Sequence, residues 1–287
     1  MDLHDHGLAS DLEMMGRLAA ARRQVLRWLL AGAASVPLIG CGGGSDASGA
    51  AAGTGSGTSG TGTGSVATPV PAACTVIPEE TGGPYPADGT NTNGGSIVNV
   101  LNQSGVVRSD IRASFNGASG VAAGVPLTIK LQLLNANGSC SSLAGYAIYL
   151  WHCDREGLYS LYSSGVTGQN YLRGVQETDA SGNLSFTSIF PGCYAGRMPH
   201  VHFEVYPSLA KAVSASNRIK TSQFTFPLAT LNEVYAASGY AASVRNLAQI
   251  SYASDNVFSD GTSLQMAGVT GNATEGYVVT LTVAVNG

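Results

Sequence analysis

Between Pro191 and His202 the chain reads Pro-Gly-Cys-Tyr-Ala-Gly-Arg-Met-Pro-His-Val-His, which places a phenol, a guanidinium and two imidazoles close together in sequence. His200 and His202 stand two residues apart and lead into Phe203-Glu204-Val205-Tyr206, a strand-like run. Side chains alternate across a strand, so both imidazoles should leave the same face. Two same-face imidazoles with the Tyr194 phenol nearby are a donor set that a transition metal can use. Beyond residue 40 the only other histidine is His152, so the pairing is not an accident of composition.

The elements that must position this segment read as strands. Leu127–Leu134 alternates apolar and polar, Asn135-Ala-Asn-Gly-Ser139 carries turn residues, and Tyr146–Trp151 returns as a second strand. Asp179-Ala-Ser-Gly-Asn183 is a further turn, followed by an alternating run over Leu184–Phe190. The chain closes on another such run, Tyr277–Val285, and a short helix is expected within Leu228–Leu247. Short alternating strands separated by Gly, Asn and Asp turns predict an all-β fold, an antiparallel β-sandwich in a single domain.

The first seventy residues have a different character. Arg22-Arg23-Gln24-Val25-Leu26-Arg27 precedes an apolar run, Trp28 to Gly40, too short to span a bilayer. The paired arginines resemble a twin-arginine export signal, and Leu38-Ile39-Gly40-Cys41 resembles a lipobox. Residues 1–40 are therefore expected to be a removable signal, with Cys41 acylated and the protein exported to the periplasm or cell surface. Residues 41–73 are almost entirely Gly, Ser, Thr and Ala and cannot bury enough apolar surface to offset ordering, so a flexible tether is expected there. Residues 74–287 then form the domain, with membrane contact only through the lipid.

The formal net charge of −4 and the lack of a basic cluster after the leader argue against nucleic-acid binding. With Cys41 committed to lipid, Cys74, Cys140, Cys153 and Cys193 form an even set in an oxidising compartment, for which three pairings are possible. Their spacing fits no zinc signature.

Several further segments occur in a telling order: Glu80-Thr-Gly-Gly-Pro84-Tyr85, Val107-Arg108-Ser-Asp110-Ile111, Trp151-His-Cys-Asp-Arg-Glu-Gly-Leu-Tyr159-Ser160, Leu172-Arg173-Gly174, Thr178-Asp-Ala-Ser-Gly182, and Pro191 through His202. Together they resemble the intradiol ring-cleavage dioxygenases, the superfamily of catechol 1,2- and protocatechuate 3,4-dioxygenases, and most of all its exported single-domain bacterial branch. The resemblance runs from about Cys74 to Gly287. It implies a non-haem Fe(III) centre held by Tyr159, Tyr194, His200 and His202, and cleavage by O2 of a catechol ring between its two hydroxylated carbons to a muconate-type diacid. It also implies that Tyr194 leaves the metal when substrate binds, that Arg197 stabilises negative charge on the ring, that Gln223 supports the metal site, and that Pro84 and Tyr85 line the substrate pocket. The donor chemistry agrees: a free tyrosine loses its proton only near pH 10, and a strongly polarising cation such as Fe(III) is what keeps phenolate at neutrality.

Other readings stand beside these. Tyr162, three residues after Tyr159, is the alternative phenol if the register slips. His152 is expected to be a hydrogen-bonded strand histidine, Arg108 and Asp110 a structural ion pair, and Arg173 either structural or pocket-lining. Glu79 and Glu80 are assigned no catalysis. Since Cys153 and Cys193 both flank expected ligands, Cys153–Cys193 and Cys74–Cys140 are the favoured bridges. Only six positions separate Tyr194 from His200, which implies a trimmed loop and an open pocket. With a tether in place of a helical dimerisation domain, a monomer is expected. The competing function is a non-catalytic β-sandwich binding module that retains the motif.

Overall fold

The computed structural model describes residues 74–287. The expected export signal, the Cys41 acylation site and the tether lie outside them. Among the described residues there are eleven strands: β1 Asp88–Asn93, β2 Ser96–Asn99, β3 Pro126–Asn135, β4 Ser141–Ser142, β5 Ala147–Trp151, β6 Arg173–Glu177, β7 Asn183–Ile189, β8 His200–Tyr206, β9 Lys220–Thr225, β10 Gly268–Asn272 and β11 Gly276–Val285. The helices are short, α1 over Leu228–Val234 and α2 over Ala241–Leu247, so the one helix expected in this stretch is two. Gly239 divides them, with a φ of 96° that a residue carrying Cβ rarely adopts.

The strands form a hairpin of β1 and β2, a four-stranded sheet ordered β6-β5-β8-β9, and a five-stranded sheet in which β3 is bordered by β11, β7 and β4. The larger sheet departs from the antiparallel expectation. β11 runs parallel to β3 along nine paired positions, from Tyr277 beside Leu127 to Val285 beside Asn135. Turn chemistry dictates antiparallel neighbours only for strands joined by a hairpin; β3 and β11 lie far apart in the chain, and a long connection permits either direction.

The two sheets share one apolar core. Leu127, Ile129, Leu131 and Leu133 of β3 point into it with Phe186 of β7 and Val279 and Val283 of β11, while Ile148, Leu150, Val201, Phe203, Val205 and Phe224 enter from the smaller sheet. Thr128, Lys130 and Gln132 face away, which is the period-two pattern legible in the sequence. The smaller sheet is different, because its other face is buried too. All of β5 and all of β8 are buried. Tyr149, Trp151, Val175 and Tyr206 on that second face pack under Ala87, Val100, Leu101 and Val106 from the chain ahead of β3. His200 and His202 lie in this covered layer.

Cys74 and Cys140 are bridged, with 5.6 Å between their Cα atoms. The bridge holds the first described residues beside β11, where Ile77 N–H donates to the Ala284 carbonyl at 2.9 Å. The expected Cys153–Cys193 bridge is absent. Each thiol is turned onto a carbonyl instead, Cys153 Sγ to Gly192 O at 3.5 Å and Cys193 Sγ to Arg197 O at 3.5 Å. Burial raises both thiol pKa values, that of Cys193 to about 12, so neither is a ready thiolate. Arg108 and Asp110 are not an ion pair either. Asp110 pairs with Arg112 at 2.7 Å, whereas Arg108 donates to the Arg173 carbonyl and stacks on Phe115. Arg173 is structural: its guanidinium is wholly buried on Ser160, Pro86 O and the Tyr149 hydroxyl.

The bridge closes a loop with a sequence separation of 66 residues. Replacing Cys74 and Cys140 by Ser should lower the unfolding free energy by about 4 kcal/mol in the loop-entropy description. Denaturant unfolding measures this, and alkylation under denaturing, non-reducing conditions should label Cys153 and Cys193 but neither Cys74 nor Cys140.

Candidate metal centre

One strand and two loops bring four donor atoms together. β8 supplies His200 and His202 from one face, as their spacing predicts. Their Nε2 atoms are 3.0 Å apart. The Tyr159 hydroxyl lies 3.4 Å and the Tyr194 hydroxyl 3.3 Å from His200 Nε2. Tyr162 is excluded from the set: its hydroxyl accepts from Ala87 N–H at 2.9 Å and donates to Asn91 at 2.7 Å.

Each donor is held from behind. His200 Nδ1 is 2.6 Å from the Met198 carbonyl, which can only accept, so Nδ1 carries the proton and Nε2 a free lone pair. Trp151, opposite His202 on β5, stacks on its ring at 4.9 Å with the planes 3° apart. Tyr159 follows a tight turn closed by Asp154, whose carboxylate accepts from the N–H groups of Glu156 and Leu158. The Tyr159 N–H donates to Ser163 Oγ at 2.9 Å.

Tyr194 lies on the loop between β7 and β8, which α2 props up. Ser243 Oγ accepts from Cys193 N–H at 2.9 Å and Asn246 donates to the Cys193 carbonyl at 2.7 Å. Gly192 lets this loop cross the Asp154–Arg155 backbone; a Cβ there would meet the Arg155 carbonyl oxygen at 2.5 Å. Tyr159 is buried, whereas Tyr194 is half-buried beside exposed Ala195 and Gly196, so the site opens on the Tyr194 side.

Electrostatics favour neutral imidazoles. Burial first, then the Arg197 charge for His200, and burial, His200 and Arg197 for His202, hold both pKa values well below the ordinary range. Burial and the neighbouring Tyr194 phenol push Tyr159 well above its usual value, so without a cation it stays a phenol. Burial by itself would lower the Arg197 pKa, but the Tyr194 phenol and the Asp255 carboxylate outweigh it and raise it. The guanidinium is 1% exposed and remains charged.

These residues fit a metal. A metal–donor bond of about 2.1 Å puts neighbouring donors about 3.0 Å apart at a right angle and about 3.4 Å apart at the tetrahedral angle. The observed separations fall in that range. The 3.0 Å between the two Nε2 atoms suits an N–H···N hydrogen bond from His202 to His200 when no cation is bound, and two lone pairs turned on one cation when it is. Among the described residues no cluster of three or more His, Cys, Asp or Glu side chains could hold an ion, so any metal here depends on the phenols. Oxygen donors of that kind suit a hard, highly charged cation.

The other sequence-predicted residues surround this centre. Gln223 pairs with His202 across β9 and β8; its Oε1 accepts from Arg197 Nη2 at 2.7 Å and its Nε2 donates to Thr81 O at 2.8 Å. The Tyr85 ring lies 4.9 Å from that of Tyr159 and 5.1 Å from that of Tyr162, and the Pro84 carbonyl accepts from Asn91. His152 sits just beyond β5, hydrogen-bonded to Cys153 O and Ser188 Oγ at 2.7 Å each, so both of its ring nitrogens are engaged outside the donor set. Asp255, Ser243 and Asn246 were not anticipated. They lie in or after α2, in polar stretches whose composition is that of ordinary surface, and no local spacing sets them apart.

Residues 108–215 match the family model described as Dioxygenase, a span that contains all four donors and Arg197. The chain resembles the intradiol ring-cleavage dioxygenases. An intradiol ring-cleavage dioxygenase from Tetranychus urticae has a similar structure, with a TM-score of 0.56 at 22% identity over 74% of this chain and 95% of that one. The dioxygenase domain of a dioxygenase–carbohydrate-binding protein fusion from Streptomyces sp. SirexAA-E aligns with a TM-score of 0.46 at 22% identity, over 74% and 99% of the two chains. At 22% identity the likeness to the Tetranychus urticae structure speaks to the fold alone. Comparison with curated proteins gave no match. The intradiol resemblance thus rests on the family model, whose span contains the donor cluster.

Gly192→Ala tests how this loop is positioned. The added methyl has only backbone to displace, so the variant should lose at least about 2 kcal/mol of stability, and its affinity for added iron should fall with it. Thermal unfolding and metal titration read the two effects; a variant with native stability and iron affinity would mean that the close crossing does not set the loop.

Proposed function

We propose that this protein is a non-haem iron(III) intradiol dioxygenase that inserts both atoms of O2 into a catechol-type ring and opens it between the two hydroxylated carbons to a muconate-type diacid. The observation that carries the reading is the convergence of two phenols and two neutral imidazoles beside one buried guanidinium. Tyr159, Tyr194, His200 and His202 would hold the metal. A ferric ion bound there supplies the Lewis acidity that makes an electron-rich diol reactive toward O2.

The protein groups have separable tasks. Tyr159 is buried and fixed by Ser163, which suits a permanent ligand. Tyr194 sits at the open rim on a loop with exposed Ala195 and Gly196, which suits the ligand that gives way; its Oη then takes the proton from a substrate hydroxyl. Two phenolates would partly neutralise a trivalent cation; of the two protons a diol gives up on binding, Tyr194 would take one and the other would leave to solvent at the open rim, so the charge in the pocket would stay small. Arg197 supplies fixed positive charge where negative charge gathers on substrate oxygens, in surroundings that exclude water. Tyr85 and Pro84 form the wall next to Tyr159. The signal-like leader and Cys41 support the same reading for an exported lipoprotein acting on catechols outside the cytoplasm as a monomer, with no nucleic-acid partner.

Iron analysis, visible absorption and O2 uptake on catechol test the proposal together. Purified protein should hold one iron per chain, show the red phenolate-to-iron charge-transfer colour, and consume one O2 per ring opened. Tyr159→Phe should lose most of the colour and the activity, whereas Tyr194→Phe should keep iron and a shifted band. Iron-loaded protein that binds catechol tightly without opening it would favour the binding-module reading, and colourless protein that takes up no iron would exclude the proposal.

A further inference from the structure

Arg197 reaches the donor cluster from a loop, and a long side chain on a loop is not oriented by its backbone alone. Two groups from distant parts of the chain grip it. Asp255 Oδ2 accepts from Arg197 Nε at 3.0 Å, and Gln223 Oε1 accepts from Nη2 at 2.7 Å. Nη1 is the guanidinium nitrogen that neither residue occupies. The same Oδ2 accepts from the Met198 N–H at 2.7 Å, and Met198 is the residue whose carbonyl fixes the His200 ring.

The carboxylate is itself immobilised. Its Oδ1 accepts from the N–H groups of Val257 at 2.8 Å and Phe258 at 3.1 Å, and the Phe258 ring lies 5.9 Å from the guanidinium carbon. Asp255 is 0% exposed and Arg197 1%. A buried carboxylate with four N–H donors on two oxygens has little freedom to turn, and it passes that rigidity to the guanidinium.

We propose that Asp255 is a positioning residue of this centre: it fixes the Arg197 guanidinium beside the four donors and, through the Met198 amide, sets the approach of the loop to His200. The assignment rests on the ring-cleavage reading of the site for its catalytic consequence. The geometry of the grip does not depend on that reading. A surface-like stretch, Ser254-Asp255-Asn256, thereby supplies the counter-charge of the reaction pocket from 58 residues beyond Arg197.

Four proteins test it: Asp255→Asn, Asp255→Glu, Arg197→Met, and the Arg197→Met/Asp255→Asn double variant. On catechol, Asp255→Asn should lower kcat about 30-fold, less than outright loss of an electrostatic donor. KM should change no more than about threefold, and iron content and charge-transfer band should stay those of the wild type. In the Arg197→Met background the same substitution should cost less than about twofold, because residues acting through one another are not additive. Full kcat in Asp255→Asn, or an equal loss in both backgrounds, would overturn the proposal. Should the Asn variant fail to fold, Asp255→Glu carries the comparison: it keeps the charge one methylene out of place, and an unchanged kcat would overturn the proposal equally.

A second readout uses metal-free protein. The Arg197 Nε–H resonance, assigned by its loss in Arg197→Met, should be sharp and slow to exchange in the wild type and fast in Asp255→Asn. Identical exchange in the two would show that Asp255 does not hold the guanidinium. If wild-type iron-loaded protein fails to open catechol, the ring-cleavage reading fails, while this exchange comparison still decides the role of Asp255.

Discussion

Two neutral imidazole nitrogens facing each other across 3.0 Å, with two phenol oxygens within 3.4 Å, impose the constraint around which the rest of this fold is arranged. Such a cluster gains nothing from hydrophobic burial: its members share hydrogen bonds when no cation is bound, and turn their lone pairs on the cation when one is. To persist, it must be held by surroundings that leave its members no other conformation. The structure meets this requirement one donor at a time. A carbonyl fixes the His200 tautomer, an indole clamps His202, an Asp-closed turn presents Tyr159, and a helix pins the backbone next to Tyr194.

The position of the cluster follows from the architecture. One face of the small sheet closes the sandwich core and supplies cohesion through Ile148, Leu150, Val201, Phe203 and Val205. The opposite face of the same strands is free for chemistry, because the chain between Ala87 and Val106 covers it and keeps water from it. β8 therefore carries both functions on alternate residues. Its neighbour Glu204 is on the chemical face as well, yet it is turned to the Tyr206 hydroxyl at 2.6 Å and to Arg218 at 3.4 Å; burial, with Asp88 near it, raises its pKa to about 8. The donor set proper is thus free of carboxylate, which suits a hard trivalent ion balanced by phenolates.

Local pattern made most of this legible. Alternation over Leu127–Leu134 and Leu184–Phe190 marked strands that are present, and the His-x-His spacing placed both imidazoles on one face of β8. The glycine-rich turns and the ordered motifs identified Tyr159 over Tyr162, a choice that periodicity alone leaves open. What escaped was non-local. The parallel pairing of β3 with β11 has no turn to announce it, and the polar face of β8 reads as solvent-exposed until the covering chain is known. The Cys153–Cys193 pairing failed because nearness in a motif says nothing about where two thiols point. Asp255 was invisible for the related reason that an aspartate in a Ser/Asn-rich loop has the composition of a surface, and only the fold carries it inward to Arg197.

The measurement closest to the central claim is a crystal structure of the iron-loaded protein with anomalous scattering recorded at the iron edge. The account predicts a single strong peak within bonding distance of Tyr159 Oη, Tyr194 Oη, His200 Nε2 and His202 Nε2, with the Arg197 guanidinium still held by Asp255 and Gln223. A peak bound elsewhere, or one ligated by the two imidazoles with the Tyr159 oxygen turned away, would contradict it.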